Sequence, residues 1–276
     1  AQIARSPLLD QYTKHPKLQK RLPNYRVRMS FGLHSGWAIE GAIGSEFKID
    51  ASYLSPNVNT ASRLQEMTQH FGCLVLLSEA LNQLLCSALA EECRLIDHVR
   101  LAGTYEAFKL YALDLDDTAL ELDHRMVMPK PGSKAEYKMR HQRKKRKSER
   151  WEEEFVTHDF FTQDPDIKIM RSKYTEEYFC RFKMAYLNYE AGEWSVAKDM
   201  LEFTRFMLGT EDGPSVALLR YMRQFHFKAP KTWPSYRLYT DQQGGEASEE
   251  LEALPILAFL PEDNAEYLNQ AEAFKL

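Results

Sequence analysis

The spacing of the apolar residues changes at Ser55-Pro56, and that change limits what the chain can build. Upstream, Val27, Met29, Phe31 and Leu33 alternate with Arg26, Arg28 and Ser30, and "WAIEGAIGS" and "EFKIDASYL" continue in extended style. A period of two is the signature of strands. Gly36 at the first turn, with Gly41 and Gly44 in the second strand, suggests a hairpin with close backbone approach. Downstream, Val58, Ala61, Leu64 and Met67 recur at helical spacing and form a core stripe. Ser55 is the N-cap, Pro56 takes the first helical position, and Gly72 stops the helix after Phe71. "CLVLLS" reads as a buried strand, "SEALNQLLCSALAEE" as a helix opened by Ser78, and "CRLIDHVRLAG" and "AFKLYALD" as two closing strands. The order β-β-β-α-β-α-β-β is an α+β pattern.

The remainder divides by composition. Residues 1 to 115 hold this pattern, after a polar, basic start in which Leu8, Leu9, Leu18 and Leu22 give a partial helical stripe. Residues 116 to 170 form a basic linker, broken at "PKPG" and carrying "KMRHQRKKRKSER". Residues 171 to 240 form a small all-α extension, two amphipathic segments joined at "EAGEW" and a third after "EDG". Tyr174, Tyr178, Phe179, Phe182, Tyr186 and Tyr189 recur there at the spacing of helix-packing residues. Residues 241 to 276 are an acidic tail, in which "LPILAFLP" could dock. Beginning at Ala1 and opening in mid-element, the chain reads as part of a longer protein.

A chain of 276 residues, 44% hydrophobic, can bury a sizeable core. A net charge of −4 argues against nucleic acid as the main partner, and the run at 138–150 reads first as a solvated helix face or linker. No apolar run approaches the roughly 20 residues of a membrane helix. The four cysteines, Cys73, Cys86, Cys93 and Cys180, show no C-x-x-C pairing and read as free or buried small apolar fillers. No His or Cys pair lies at metal spacing, and His34 reads as structural.

Opposite the core stripe of the 56–71 helix stand Asn59, Arg63 and Glu66. Alone, an Asn and an Arg four residues apart mark an ordinary wet surface. The surrounding order alters that reading. "GLHSG" through Gly41 and Gly44, "VNTASRL" from Val58 to Leu64, and "AGTYEAFKLY" from Ala102 to Tyr111 resemble, in sequence and spacing, the catalytic domain of class III nucleotide cyclases over residues 1 to 114.

The resemblance implies a ferredoxin-like α+β domain with its first strands upstream of this chain. It also implies conversion of ATP or GTP to a 3′,5′-cyclic nucleotide and pyrophosphate, in intracellular signalling. The site would lie between this domain and a second cyclase domain. Asn59 would hold the ribose and Arg63 the transition-state phosphate. Mg²⁺ or Mn²⁺ would be held by aspartates upstream of Ala1, so that none of this chain's residues binds metal and the chain alone would be inactive. The base-selecting position, seven before Asn59, is Ser52, with Asp50 two residues earlier. Ala102 stands where the family often has a phosphate-facing Lys, and Arg100 is the candidate substitute. The helical extension is similar to a tetratricopeptide-type pair. A cytoplasmic location follows, with membrane association only through upstream regions. The alternative is a non-catalytic pseudo-cyclase serving as a dimerisation or regulatory module.

Overall fold

The computed structural model describes residues 1, 3–23, 25–123, 129–152 and 155–239. The acidic tail and His124 lie outside the described residues. Ala1–Leu238 form one compact unit, and of the second, Tyr239–Leu276, only Tyr239 is described.

The fold is α+β. Two short helices, α1 (Pro7–Thr13) and α2 (Pro16–Arg21), bury only Leu18. Then come β1 (Phe31–Leu33), β2 (Ile39–Gly44), β3 (Ile49–Leu54), α3 (Pro56–Phe71) and β4 (Val75–Ser78). The segment expected as one helix splits into α4 (Glu79–Asn82) and α5 (Ser87–Glu91), followed by β5 (Cys93–Leu101) and β6 (Phe108–Leu113). A 3₁₀ turn (Asp117–Ala119), α6 (Lys134–Glu149), α7 (Thr157–Gln163) and α8 (Pro165–Arg171) occupy the basic linker. The extension supplies α9 (Glu176–Glu190), α10 (Trp194–Thr204), α11 (Gly213–Gln224) and a strand, β7 (Arg237–Tyr239), where only helix was expected.

Five strands make one sheet in the order β1-β4-β6-β5-β7, with β1 parallel to β4 and β6 antiparallel to both β4 and β5. β2 and β3 make a separate antiparallel hairpin. All four residues of β4 are buried, which is why "VLLS" shows no alternation. Val75 and Leu77 join Cys93 in a cluster with Leu81, Leu85, Tyr111 and Leu113. Leu76, paired with Ala112, belongs to the opposite face by strand alternation. α3 packs on β1 and β4 and brings the fully buried Leu64, Met67 and Phe71.

Two expectations fail locally. Val58 is 40% exposed, so the α3 core stripe starts only at Ala61 and Leu64. Gly41 faces open space, whereas the close backbone approach holds at Gly44, where an added Cβ would run into Lys48 O, and it recurs at Gly32, where an added Cβ would lie 2.2 Å from Gln65 N and 2.5 Å from Ala61 O. The contacts at Gly32 are rigid helix backbone. Gly32→Ala is therefore expected to cost about 1–3 kcal/mol or more by forcing β1 off α3; urea unfolding checks it, and an unchanged midpoint would mean the two elements are not so close.

The helices lock to the sheet through buried charge. Arg94 on β5 donates to Asp114 (2.7 and 2.8 Å) and to Asp212 (3.0 and 3.2 Å), and its guanidinium lies 4.3 Å from the Phe182 ring centroid. Asp212 also caps α11, accepting from Ser215 N at 2.9 Å. Burial pushes the Asp212 carboxyl up, but Arg94 and the hydrogen bonds outweigh it and hold the group below the usual carboxylate range. Farther along β5, Arg237 Nε lies 2.6 Å from Asp97 Oδ2, both side chains essentially inaccessible. Tyr178, Phe182, Tyr186 and Tyr189 are buried, and Trp194 stacks on Tyr189 at 5.8 Å. Among the cysteines, Cys93 is buried and Cys73 half-buried, but Cys86 and Cys180 are exposed, so the filler reading fits only the first two.

Candidate functional site

α3 is held by its N-terminus. Ser55 Oγ accepts from Asn57 N at 3.0 Å and donates to Trp37 O at 2.6 Å, and Asn57 Nδ2 donates to the same carbonyl at 2.8 Å. His34 bridges the end of β1 to two neighbours, its Nδ1 2.7 Å from Ser78 Oγ and its Nε2 3.1 Å from Asn57 Oδ1. Both ring nitrogens are thus engaged in fastening α3 to the sheet. Asn57 escaped sequence reasoning. The only signal was its place two residues after an N-cap, where Asn side chains favour local backbone bonds.

One turn onward stand Asn59 and Arg63. At i,i+4 their Cβ atoms are about 5–6 Å apart on one helix face. Asn59 is exposed, and its side chain makes no hydrogen bond among the described residues. Arg63 is half-buried and donates from Nη1 to Ala102 O at 2.6 Å. Ala102 begins the β5–β6 turn, closed by Thr104 N donating to Leu101 O at 3.0 Å, with Gly103 at φ +81° supplying the left-handed step. The turn carbonyl pins one edge of the guanidinium. Its other N–H groups have no partner among the described residues.

The other candidates are spread out. Ser52 and Asp50 share one face of β3, two residues apart. Asp50 is ion-paired to Lys48 at 2.9 Å, while Ser52 is half-buried with no side-chain hydrogen bond among the described residues. Arg100 lies against Tyr236, 3.5 Å from its hydroxyl and 5.6 Å from its ring centroid, and no contact links it to Arg63 or Asn59. Mg²⁺ or Mn²⁺ finds no ready ligand set, because the described residues hold no group of three or more His, Cys, Asp or Glu side chains able to bind a metal.

The β2–β3 hairpin, which leads into α3, is conspicuously apolar on its surface. Trp37, Ile39, Ile43, Ile49 and Leu54 are 59–73% exposed and Phe47 is 95% exposed. No helix among the described residues is long and apolar enough to cross a membrane.

No family model matches the chain. An adenylate cyclase of Anabaena cylindrica is 32% identical over 87 residues, 31% of this chain and 17% of that protein. Adenylate cyclase 1 of Rhizobium meliloti (strain 1021) is 33% identical over 86 residues, 31% of this chain and 11% of that protein. The similarity is thus to a part of two proteins named adenylate cyclase. The chain spans less than a fifth of the length of either relative.

Proposed function

We propose that this chain supplies the ribose- and phosphate-holding half of a purine nucleotide cyclase site, in a ferredoxin-like domain covering residues 1 to 115. The observation that carries the reading is the α3 pair: an unbonded Asn59 beside an Arg63 fixed along one edge and open along the other. Two relatives named adenylate cyclase support it.

In such a reaction the ribose 3′-oxygen loses its proton and bonds to the α-phosphorus, while the bond to the departing pyrophosphate breaks. Asn59 can both donate to and accept from a ribose hydroxyl, fixing the direction of attack. Arg63 presents a permanent charge to phosphate oxygens where negative charge grows. Ala102 O holds that charge in place before substrate arrives, so little reorganisation is needed. Ser52 can donate or accept, which suits either the amino group of adenine or the carbonyl of guanine. Asp50 would reach a base only by leaving Lys48, and Arg100 would reach a phosphate only by leaving Tyr236. The metal ligands would come from residues outside this chain.

The exposed hairpin supports a second cyclase domain as partner, since Ile39, Ile43 and Leu54, which the register puts on one face, form an exposed apolar patch of the kind that marks an interaction site. The α9–α10 pair is read as tetratricopeptide-like, and α9 packs against β5 through Tyr178 and Phe182 around Arg94, which ties the extension to the sheet. The deciding experiment measures cyclic nucleotide formed from ATP and from GTP by the native polypeptide containing these residues, with Mg²⁺ and with Mn²⁺. Turnover of either triphosphate is expected. No turnover under any of the four conditions, by protein that unfolds cooperatively, would leave the non-catalytic module as the correct reading.

A further inference from the structure

α6 is the most charged element of the chain. Its 16 residues hold eight lysines and arginines against two glutamates, a net +6 in a chain of net −4, so the remaining residues together carry −10. No residue of α6 is buried, and every residue from His141 to Arg150 is exposed. The helix is built to persist without a core. Ser133 Oγ accepts from Glu136 N at 3.2 Å, Glu136 Oε2 accepts from Gly132 N at 2.6 Å, and Glu136 pairs with Arg140 and Glu149 with Lys145. Those pairs satisfy two cations. Lys134, Lys138, Arg143, Lys144, Arg146 and Lys147 have no ion pair among the described residues. Like charges crowded at i,i+3 and i,i+4 destabilise a helix, and that repulsion is relieved only by external negative charge.

Two exposed aromatics bracket the run. Tyr137 is 65% and Trp151 80% exposed. Tyr137 stands near the start of α6 and Trp151 just past its C-cap, Arg150. Helical spacing puts Tyr137 on the face that carries Lys134, Lys138, His141 and Lys145. Cations over phosphates, with an indole and a phenol at headgroup depth, is the chemistry of a membrane surface. Nucleic acid fits less well. A groove would bring phosphates to several sides of the helix and offers no headgroup-depth apolar layer for the exposed indole and phenol to enter. A plane touches one side of the helix, the side on which Tyr137 stands with Lys134, Lys138, His141 and Lys145.

We propose that α6 docks flat on an anionic lipid surface, with its lysines and arginines over the headgroups and Trp151 at their depth. This goes beyond the cyclase reading and stands or falls separately from it. The test is co-sedimentation of the full chain with vesicles of phosphatidylcholine alone and with about one-third phosphatidylserine. Binding is expected only to the anionic vesicles, weakening as salt rises, with a blue shift of tryptophan emission that Trp151→Phe removes. Neutralising Lys134, Lys138, Lys144 and Lys145 together to Gln, all on the side of the helix that Tyr137 marks, is expected to lower partitioning by several hundredfold, at roughly fivefold per cation, with thermal unfolding unchanged. Equal binding to both vesicles, equal binding by the neutralised variant, or binding to duplex DNA or RNA without binding to vesicles would each overturn the proposal.

Discussion

Arg63→Ala is expected to lower cyclic nucleotide turnover of the native polypeptide by about 10²–10³-fold, the range for loss of one fixed donor at a developing oxyanion. Stability should barely move, because among the described residues Arg63 makes a single hydrogen bond, to the carbonyl of a surface turn. Arg63→Lys separates two accounts of the residue. An ammonium keeps the charge, but it cannot hold Ala102 O with one donor and present a planar fork to phosphate with the others. Its rate should therefore stay well below that of the parent. Parent-like kcat for both variants would mean that the exposed face of α3 touches no reacting atom.

Arg94→Met is expected to destabilise the fold by about 3–5 kcal/mol, the usual cost of stranding buried charge by removing one partner. Asp114 and Asp212 would be left with 3% and 4% of their side-chain surface in water and no cation. Converting both aspartates to Asn in the same variant should recover much of the loss, which a purely steric role for Arg94 would not allow. The pH dependence has a definite sign. Asp212 titrates lower in the folded than in the unfolded chain, so its contribution is fully present above the unfolded carboxyl value, about 3.9, and is lost as pH falls through the folded one. In Arg94→Met that carboxylate is stranded, and acid should now relieve it. The gap between parent and variant in urea unfolding should narrow toward pH 4.

Elements with a local cause were legible in the sequence. Ser55, Pro56 and Gly72 bound α3 by capping chemistry, and the opposition of Leu64 and Met67 to Asn59 and Arg63 follows from 3.6-residue spacing. What escaped depends on partners far along the chain. Val58 resembles a core residue but lies in the first turn, beyond the reach of β1 and β4. Gly32 shows no local sign that Gln65 and Ala61 press on it. Arg94 reads as the polar residue of an alternating strand, and nothing near it says that Asp212 will meet it. β7 is three residues with no periodicity to detect. Of the proposed site, Asn59 and Arg63 were visible as a pair, whereas the anchoring of Arg63 by Ala102 is a backbone contact that no side-chain pattern encodes.

That last strand also sets a timetable for synthesis. β5 is made early, yet its outer neighbour β7 comes much later: Arg100 and its partner Tyr236 are 136 residues apart. At about 5–20 residues per second, the ribosome leaves β5 without that neighbour for on the order of ten seconds. During this interval Asp97 lacks Arg237, and an open strand edge is offered to any extended chain nearby. A nascent chain of this design therefore has a defined window in which a chaperone is most useful, opening when β5 emerges and closing when β7 arrives.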